Sequence, residues 1–174
     1  MVTLRCTAKL LDKLGIERHP PDPGPPTTVL GDWYADILYT RPAHLVLCIS
    51  ERSFFPVVLA ARDLDSLVPR FLSMLGELLA GIGIPEAAIE RERSAMNPFC
   101  FAATANRRAL GTLVELARLI KMMLPDEPDF TIFDWSRHLA DVPCLTLPSG
   151  FPSKATRELL VPGPRFTILD GGKA

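Results

Sequence analysis

The chain has 174 residues, of which 48% are hydrophobic and 22% charged, as is typical of one soluble globular domain. Its formal net charge is −1, which disfavours nucleic acid and anionic membranes as partners. The sequence contains no apolar run near the roughly 18 residues that a membrane span needs, and charged residues interrupt the N-terminus where a signal peptide would be apolar.

The four cysteines are widely spaced, with no C-x-x-C pair, at positions Cys6, Cys48, Cys100 and Cys144. Closely spaced Cys/His pairs, which zinc sites use, are absent. We therefore interpret all four as core thiols in a reducing compartment. The expected location is the cytoplasm.

The first third of the chain predicts four strands and one helix. A β-type run at 2–6 precedes a helix at 8–14, with Thr7 as N-cap and Gly15 as the left-handed end. The proline-rich segment 19–28 predicts a loop. Period-two or apolar patterns then predict strands at 33–40, 44–50 and 54–60. Pro56 in the last of these favours an edge strand or a bulge.

The rest of the chain is mainly helical by its spacing. The predicted elements are helices at 64–82, 85–93, 112–124, 132–140 and 154–160, with one strand at 99–104. The third of these helices has a capping-box pattern from Thr112 to Glu115. The last dozen residues are rich in glycine and proline, and we expect them to pack weakly.

Together these elements predict an α+β fold. Three consecutive strands joined by tight turns favour an antiparallel meander sheet of four to five strands, with helices mainly on one face. We place the core domain at residues 1–125. Residues 126–174 would form a helical C-terminal extension that packs on the core.

Several segments resemble a known family. Leu30-Gly31-Asp32-Trp33-Tyr34-Ala35-Asp36 is similar to its central L-G-D/S-W-Y/H-A-N/D signature, and Arg5–Leu11 is similar to its opening. The segments 47–53, 106–112 and 151–157 are also similar to family features. Where the family has Met-Asn-Asp, this chain has Leu113-Val114-Glu115. The family is a set of bacterial proteins with a domain of unknown function, so the resemblance implies a fold and a bacterial source and no activity.

Four polar residues near the predicted meander turns are candidates for catalysis: Asp32, His44, Glu51 and Ser53. Loops at strand ends commonly carry function, and these residue types could serve a small hydrolase as acid, base or nucleophile. Asp32 and Asp36 share a strand face about 13 Å apart (four steps of about 3.3 Å), too far apart to bind one metal ion. The simpler expectation is that Asp32 helps a turn and that Asp36 is solvated.

Four further residues are candidates for binding: Arg52, Asn106, Arg107 and Arg108. Asn106 could cap a helix while the two arginines after it present guanidinium groups to a carboxylate or phosphate. The three histidines lack metal-site spacing, and the sequence has no Walker loop, dinucleotide fingerprint or G-x-S-x-G motif. We therefore expect no metal and no cofactor.

Two hypotheses from different classes remain. The first is a cytoplasmic interaction or accessory protein without catalysis, whose partner is an unknown protein or small molecule and which could pair with a second copy at a sheet edge. The alternative is a small hydrolase acting on an ester or lactone, with or without a metal. Nucleic acid and membrane are not expected as partners.

Overall fold

The computed structural model describes residues 1–126 and 129–163. These residues form a five-stranded sheet and six α-helices. In chain order the elements are β1 (Val2–Cys6), α1 (Ala8–Leu14), β2 (Trp33–Leu38), β3 (Leu45–Ser50), β4 (Pro56–Ala60), a 3-10 turn (Leu64–Ser66), α2 (Leu67–Gly81), α3 (Glu86–Ala95), β5 (Phe99–Ala103), α4 (Arg107–Met123), α5 (Ile132–Ala140) and α6 (Pro152–Leu160).

The fold is α+β, as predicted, but the sheet is mixed. The strand order is β4-β3-β2-β1-β5, and only β2, β3 and β4 form the antiparallel meander. β1 runs parallel to both β2 and β5. The prediction of a purely antiparallel sheet was wrong because α1 and the loop after it carry the chain back across the sheet, and such a crossover makes the next strand parallel.

Both faces of the sheet are covered by helices. On β2, Trp33, Ala35 and Ile37 join one hydrophobic cluster with residues of α1, α2 and α3. Tyr34 and Leu38 face the other way and join a second cluster with α4. Because alternate residues of a strand point to opposite faces, the two clusters lie on opposite sides. The prediction of helices mainly on one face was therefore wrong.

The two edge strands of the sheet differ in whether a helix covers them. β4 is an edge strand, as Pro56 predicted. The helix α5 packs along β4, and the Ser136 hydroxyl accepts a 2.8 Å hydrogen bond from the Val58 backbone N–H. The helix α5 contributes to the hydrophobic clusters on both faces: Ala140 belongs to the first cluster and Trp135 to the second. The β4 edge is thus closed by a helix, whereas no strand or helix lies along the outer side of β5 in the described residues.

The helix α4 begins five residues before its predicted start. Asn106 is its N-cap, and its side chain accepts hydrogen bonds from the backbone N–H groups of Arg108 and Ala109. The predicted capping box at Thr112 was wrong, since Thr112 lies inside the helix. A capping box does occur at the start of α5, where Thr131 and Asp134 bond reciprocally. The prediction for the last dozen residues falls largely on 164–174, which lie outside the described residues.

Candidate functional site

Asp32 lies just before β2 and is 1% exposed. Its carboxylate accepts a 2.8 Å hydrogen bond from Nε of Arg5 on β1 and a 3.0 Å bond from the backbone N–H of Thr3. Arg5 also donates to Asp22 in the proline-rich loop at 3.2 Å. Asp32 is therefore a buried ion-pair partner that ties β1, β2 and the loop together, and not only a turn residue.

Asp36 is half-buried and not simply solvated as expected. It forms a 3.0 Å ion pair with Lys9 on α1 and accepts a hydrogen bond from the Thr7 hydroxyl. Thr7 therefore uses its side chain toward β2 and makes no side-chain cap to α1. The two aspartates of the Leu30–Asp36 segment thus both secure β2 to the chain's first residues.

Glu51, Tyr34 and Asn106 extend the polar contacts around Asp32. Nδ2 of Asn106 donates to a Glu51 carboxylate oxygen at 3.2 Å, and the Asn106 backbone N–H donates to the Tyr34 hydroxyl at 3.1 Å. The Glu51 N–H donates to the Asp32 carbonyl at 2.8 Å. We call Arg5, Asp32, Tyr34, Glu51 and Asn106 the Asp32 network.

The network perturbs the titration of Tyr34. Burial raises the pKa of the Tyr34 hydroxyl above its usual value, and the nearby Glu51 carboxylate raises that pKa further. A tyrosine with a raised pKa stays protonated at neutral pH and is a poor general base. Tyr34 therefore serves as the hydrogen-bond acceptor for the Asn106 backbone N–H, and this bond positions the start of α4 against the sheet.

Ser53 is fully buried and lies in a chain of hydroxyl groups. Thr156 of α6 donates to the Ser53 hydroxyl at 2.8 Å, Ser53 donates to Ser50 at 3.0 Å, and Ser50 donates to the Leu30 carbonyl at 2.8 Å. The hydroxyl proton of Ser53 is thus already used within the core. A nucleophile needs both access and a base, and neither is present around Ser53 in the described residues.

His44 lies at the opposite end of β3 from Glu51. The six residues of β3 lie between the two positions, so seven steps of about 3.3 Å, roughly 23 Å in all, separate them. The His44 ring is 3.0 Å from the Thr40 carbonyl through Nδ1 and packs edge-on against Tyr39. Asp32, Glu51 and Ser53 thus lie at the same end of β3, with the Ser53 hydroxyl enclosed in the core, while His44 lies at the other end.

The four candidate binding residues divide into two groups. Arg52 donates to the Val29 carbonyl at 3.1 Å and Asn106 belongs to the Asp32 network, so both hold the fold. Arg107 and Arg108 start α4 and line an open groove of about 630 Å³ between α4 and residues 142–152. We call this cavity the α4 groove.

Sequence reasoning missed two charged residues that organise this region. Arg5 is the one charged residue of β1, and this signal could have predicted a buried carboxylate partner. Glu92 on α3 is 2% exposed and accepts hydrogen bonds from the backbone N–H groups of Val29 and Leu30 at 2.8 and 2.9 Å. Its contact with a loop some 60 residues away leaves no local trace in the sequence.

The four cysteines fall into two pairs that differ in burial. Cys6 and Cys48 are buried, and Cys100 and Cys144 are half-buried, with all four thiols free. Burial raises the pKa of Cys6 to about 12, so this thiol is inert. Among the described residues there is no group of three or more His, Cys, Asp or Glu side chains that could hold a metal ion, and no helix there is long and apolar enough to cross a membrane.

The fold and the Asp32 network define a small α+β protein with a mixed sheet whose most buried charges serve its architecture. The chain belongs to a family described as a domain of unknown function (DUF6933), whose model matches residues 3–155. This confirms the resemblance to a family without known activity. No curated protein and no solved structure matches the chain.

Proposed function

We propose that the protein is a non-catalytic interaction protein of the bacterial cytoplasm, and that it pairs with a second copy of itself through the outer edge of β5. The observation that carries the proposal is the row of unpaired backbone groups on this edge. The distance of His44 from Asp32 and Glu51 and the buried, bonded hydroxyl of Ser53 support an interaction role over the small hydrolase.

The register of the sheet fixes which backbone groups of β5 point outward. The Val2 N–H donates to the Pro98 carbonyl, and Val2 is paired with Phe99 in the parallel ladder. In such a ladder alternate residues bond to the neighbour, so Phe99, Phe101 and Ala103 direct their N–H and C=O groups away from β1. In the part of the chain that the structure describes, these groups have no hydrogen-bond partner.

The strand also lacks the features that keep a sheet edge from pairing. Charged side chains, internal prolines and covering helices normally protect such edges, but β5 reads Phe-Cys-Phe-Ala-Ala and no charged residue occurs between 97 and 106. Its Phe99 and Phe101 side chains are only partly buried against the first hydrophobic cluster. An incoming strand would cover both.

A second β5 fits this edge by symmetry. If two strands lie antiparallel about a two-fold axis at Phe101, then Phe101 faces its own copy and Phe99 faces Ala103. Each outward N–H then meets an outward C=O, which is the isologous contact of a two-fold dimer. Because the strand is only five residues long, we expect reversible, concentration-dependent association.

The test is a pair of charge variants at the position on the axis. In Phe101→Lys and Phe101→Glu, like charges would face each other, so each variant should stay near the 19.2 kDa of one chain in sedimentation equilibrium. The wild type should move toward twice this mass as concentration rises. An equimolar mixture of the two variants should associate again, since opposite charges then face each other.

The two variants lose the same Phe101 packing, so each controls for the other. If they fold poorly, Ala103→Pro removes one outward N–H without touching the β1 ladder and should weaken association in the same way. A wild type that stays monomeric at all concentrations, or a mixture that behaves like the separate variants, would refute the proposed dimer.

A further inference from the structure

The α4 groove has an apolar interior. Its floor is the part of α4 that carries Gly111, Leu116 and Leu119. A Cβ atom added at Gly111 would meet nothing within 4 Å, so the glycine leaves the floor open. The facing wall is apolar as well, and is formed by Val142, Pro143, Leu145 and Pro152.

The wall is stabilised by hydrogen bonds between its own backbone groups. The Cys144 N–H donates to the Gly150 carbonyl at 2.8 Å, and the Leu147 N–H and Gly150 N–H close two further turns at 3.0 Å. Leu147 is buried in the second hydrophobic cluster. This anchored loop nevertheless holds Leu145 99% exposed at the rim of the groove.

Leu145 thus keeps a large apolar side chain in water beside the apolar groove. An exposed leucine side chain forgoes about 1.5–3 kcal/mol of the free energy that burial would contribute. The backbone hydrogen bonds of the loop hold Leu145 away from the core. A concave, mostly apolar surface beside such a residue has the composition typical of a binding site.

One end of the groove is positively charged. Arg107 is exposed, and its guanidinium makes no hydrogen bond or ion pair within residues 1–126 and 129–163. Arg108 is fixed, since its guanidinium donates to the Thr146 carbonyl and lies 5.0 Å from the centre of the Phe54 ring. The acidic residue of the groove, Glu115, is engaged with Arg118 at 3.4 Å.

We propose that the α4 groove binds a short segment of a partner protein in which apolar residues lie next to an aspartate or glutamate. The apolar side chains contact Leu119, Val142 and Leu145, and the carboxylate contacts Arg107. A guanidinium pairs readily with a carboxylate through two parallel hydrogen bonds. The open rim and the fully exposed Leu145 favour a polypeptide over an enclosed small molecule. This inference does not depend on the β5 dimer, because the groove residues lie on α4 and on 142–152.

The test uses a displayed library of random short peptides, selected against the purified full chain. Enriched peptides should combine apolar residues with an aspartate or glutamate. Binding of their synthetic forms should weaken about tenfold, which is about 1.4 kcal/mol, in Leu145→Ser and in Arg107→Gln. The matched controls are Met122→Ser, an exposed apolar residue on α4 outside the groove, and Arg91→Gln, an exposed arginine on α3. Both controls should bind as the wild type does.

Several outcomes would overturn the proposal. These are no enrichment, enriched peptides without an acidic residue, and equal binding to the groove variants and the wild type. Dodecanoate binding that Arg107→Gln abolishes, without any enriched peptide, would instead make the groove a site for small amphiphilic acids. If Leu145→Ser changed the mass in sedimentation equilibrium, the occupant would be a second copy. Loss of the β5 dimer with peptide binding intact would affect only the proposed function.

Discussion

Asn106 and Arg107 are adjacent in the chain and belong to opposite environments. Asn106 completes the Asp32 network, where the polar groups are buried or half-buried and bonded to one another. Arg107 begins the α4 groove, where an apolar surface and a guanidinium remain open. Polar residues that look alike in the sequence therefore serve two purposes: some bond within the fold, and others remain open to a partner. The first region should determine stability, and the second should determine what the protein binds.

The largest effect is expected inside the Asp32 network. Asp32→Ala leaves the Arg5 guanidinium without its 2.8 Å partner and Thr3 N–H without an acceptor. Removing one member of a buried ion pair typically costs about 3–5 kcal/mol. Urea denaturation should show this loss in the free energy of unfolding.

Asp36→Ala is the matched control for this prediction. It removes an aspartate four residues further along, within β2, but the Lys9 partner of Asp36 is largely exposed, and exposed pairs contribute about 0–1 kcal/mol. Equal losses in the two variants would contradict the assignment of Asp32 as the organising charge.

A smaller effect is expected at Gly31, next to Asp32. Gly31 has φ of +78°, and an added Cβ would lie 3.1 Å from Cγ of Arg52. Gly31→Ala should therefore cost about 2 kcal/mol, from backbone strain and from displacement of Arg52. Gly15→Ala is the control, because Gly15 has φ of +68° but nothing within 4 Å. It should cost about 1 kcal/mol, and a larger loss at Gly15 would exclude the contact with Arg52 as the cause.

These residues show how far the sequence could predict the structure. The meander strands and most helices follow from local periodicity, which is why Pro56 located an edge and the apolar spacing located α2. The parallel position of β1 and β5 depends on contacts between distant segments, such as Val2 with Phe99, and no local pattern records them. The ion pair of Asp32 was missed for the same reason, since its partner Arg5 lies 27 residues away.

The pH dependence of stability offers a finer test of the buried region. Burial raises the pKa of Glu92, although hydrogen bonds from Leu30 and Val29 act in the opposite direction. The folded state then holds this proton more tightly than the unfolded state does. The contribution of Glu92 is complete below the unfolded carboxyl pKa and is lost as pH rises through the folded pKa.

The free energy of unfolding of the wild type should therefore fall relative to Glu92→Gln as pH increases from about 4 to 7. Urea denaturation across this range measures the difference between the two slopes. The amide side chain of the Glu92→Gln variant cannot titrate, so the destabilising effect of the substitution enters as a constant offset. Parallel curves would show that the backbone hydrogen bonds fully offset the effect of burial on the Glu92 pKa, and a wild-type stability that rises relative to Glu92→Gln would show that they outweigh it.

The smallest change in the free energy of unfolding is expected at Leu145, in the α4 groove. Here an unchanged stability is the informative result. Leu145 is 99% exposed, so Leu145→Ser removes no buried apolar surface and leaves the backbone hydrogen bonds of the loop in place. The free energy of unfolding should stay within about 0.5 kcal/mol of the wild type. A clear loss would mean that Leu145 packs against the rest of the chain and that the groove is closed in solution. An unchanged stability, set beside the cost at Asp32, would show that the rim of the groove is not required for folding, so the same variant can be used to measure peptide binding without a folding artefact.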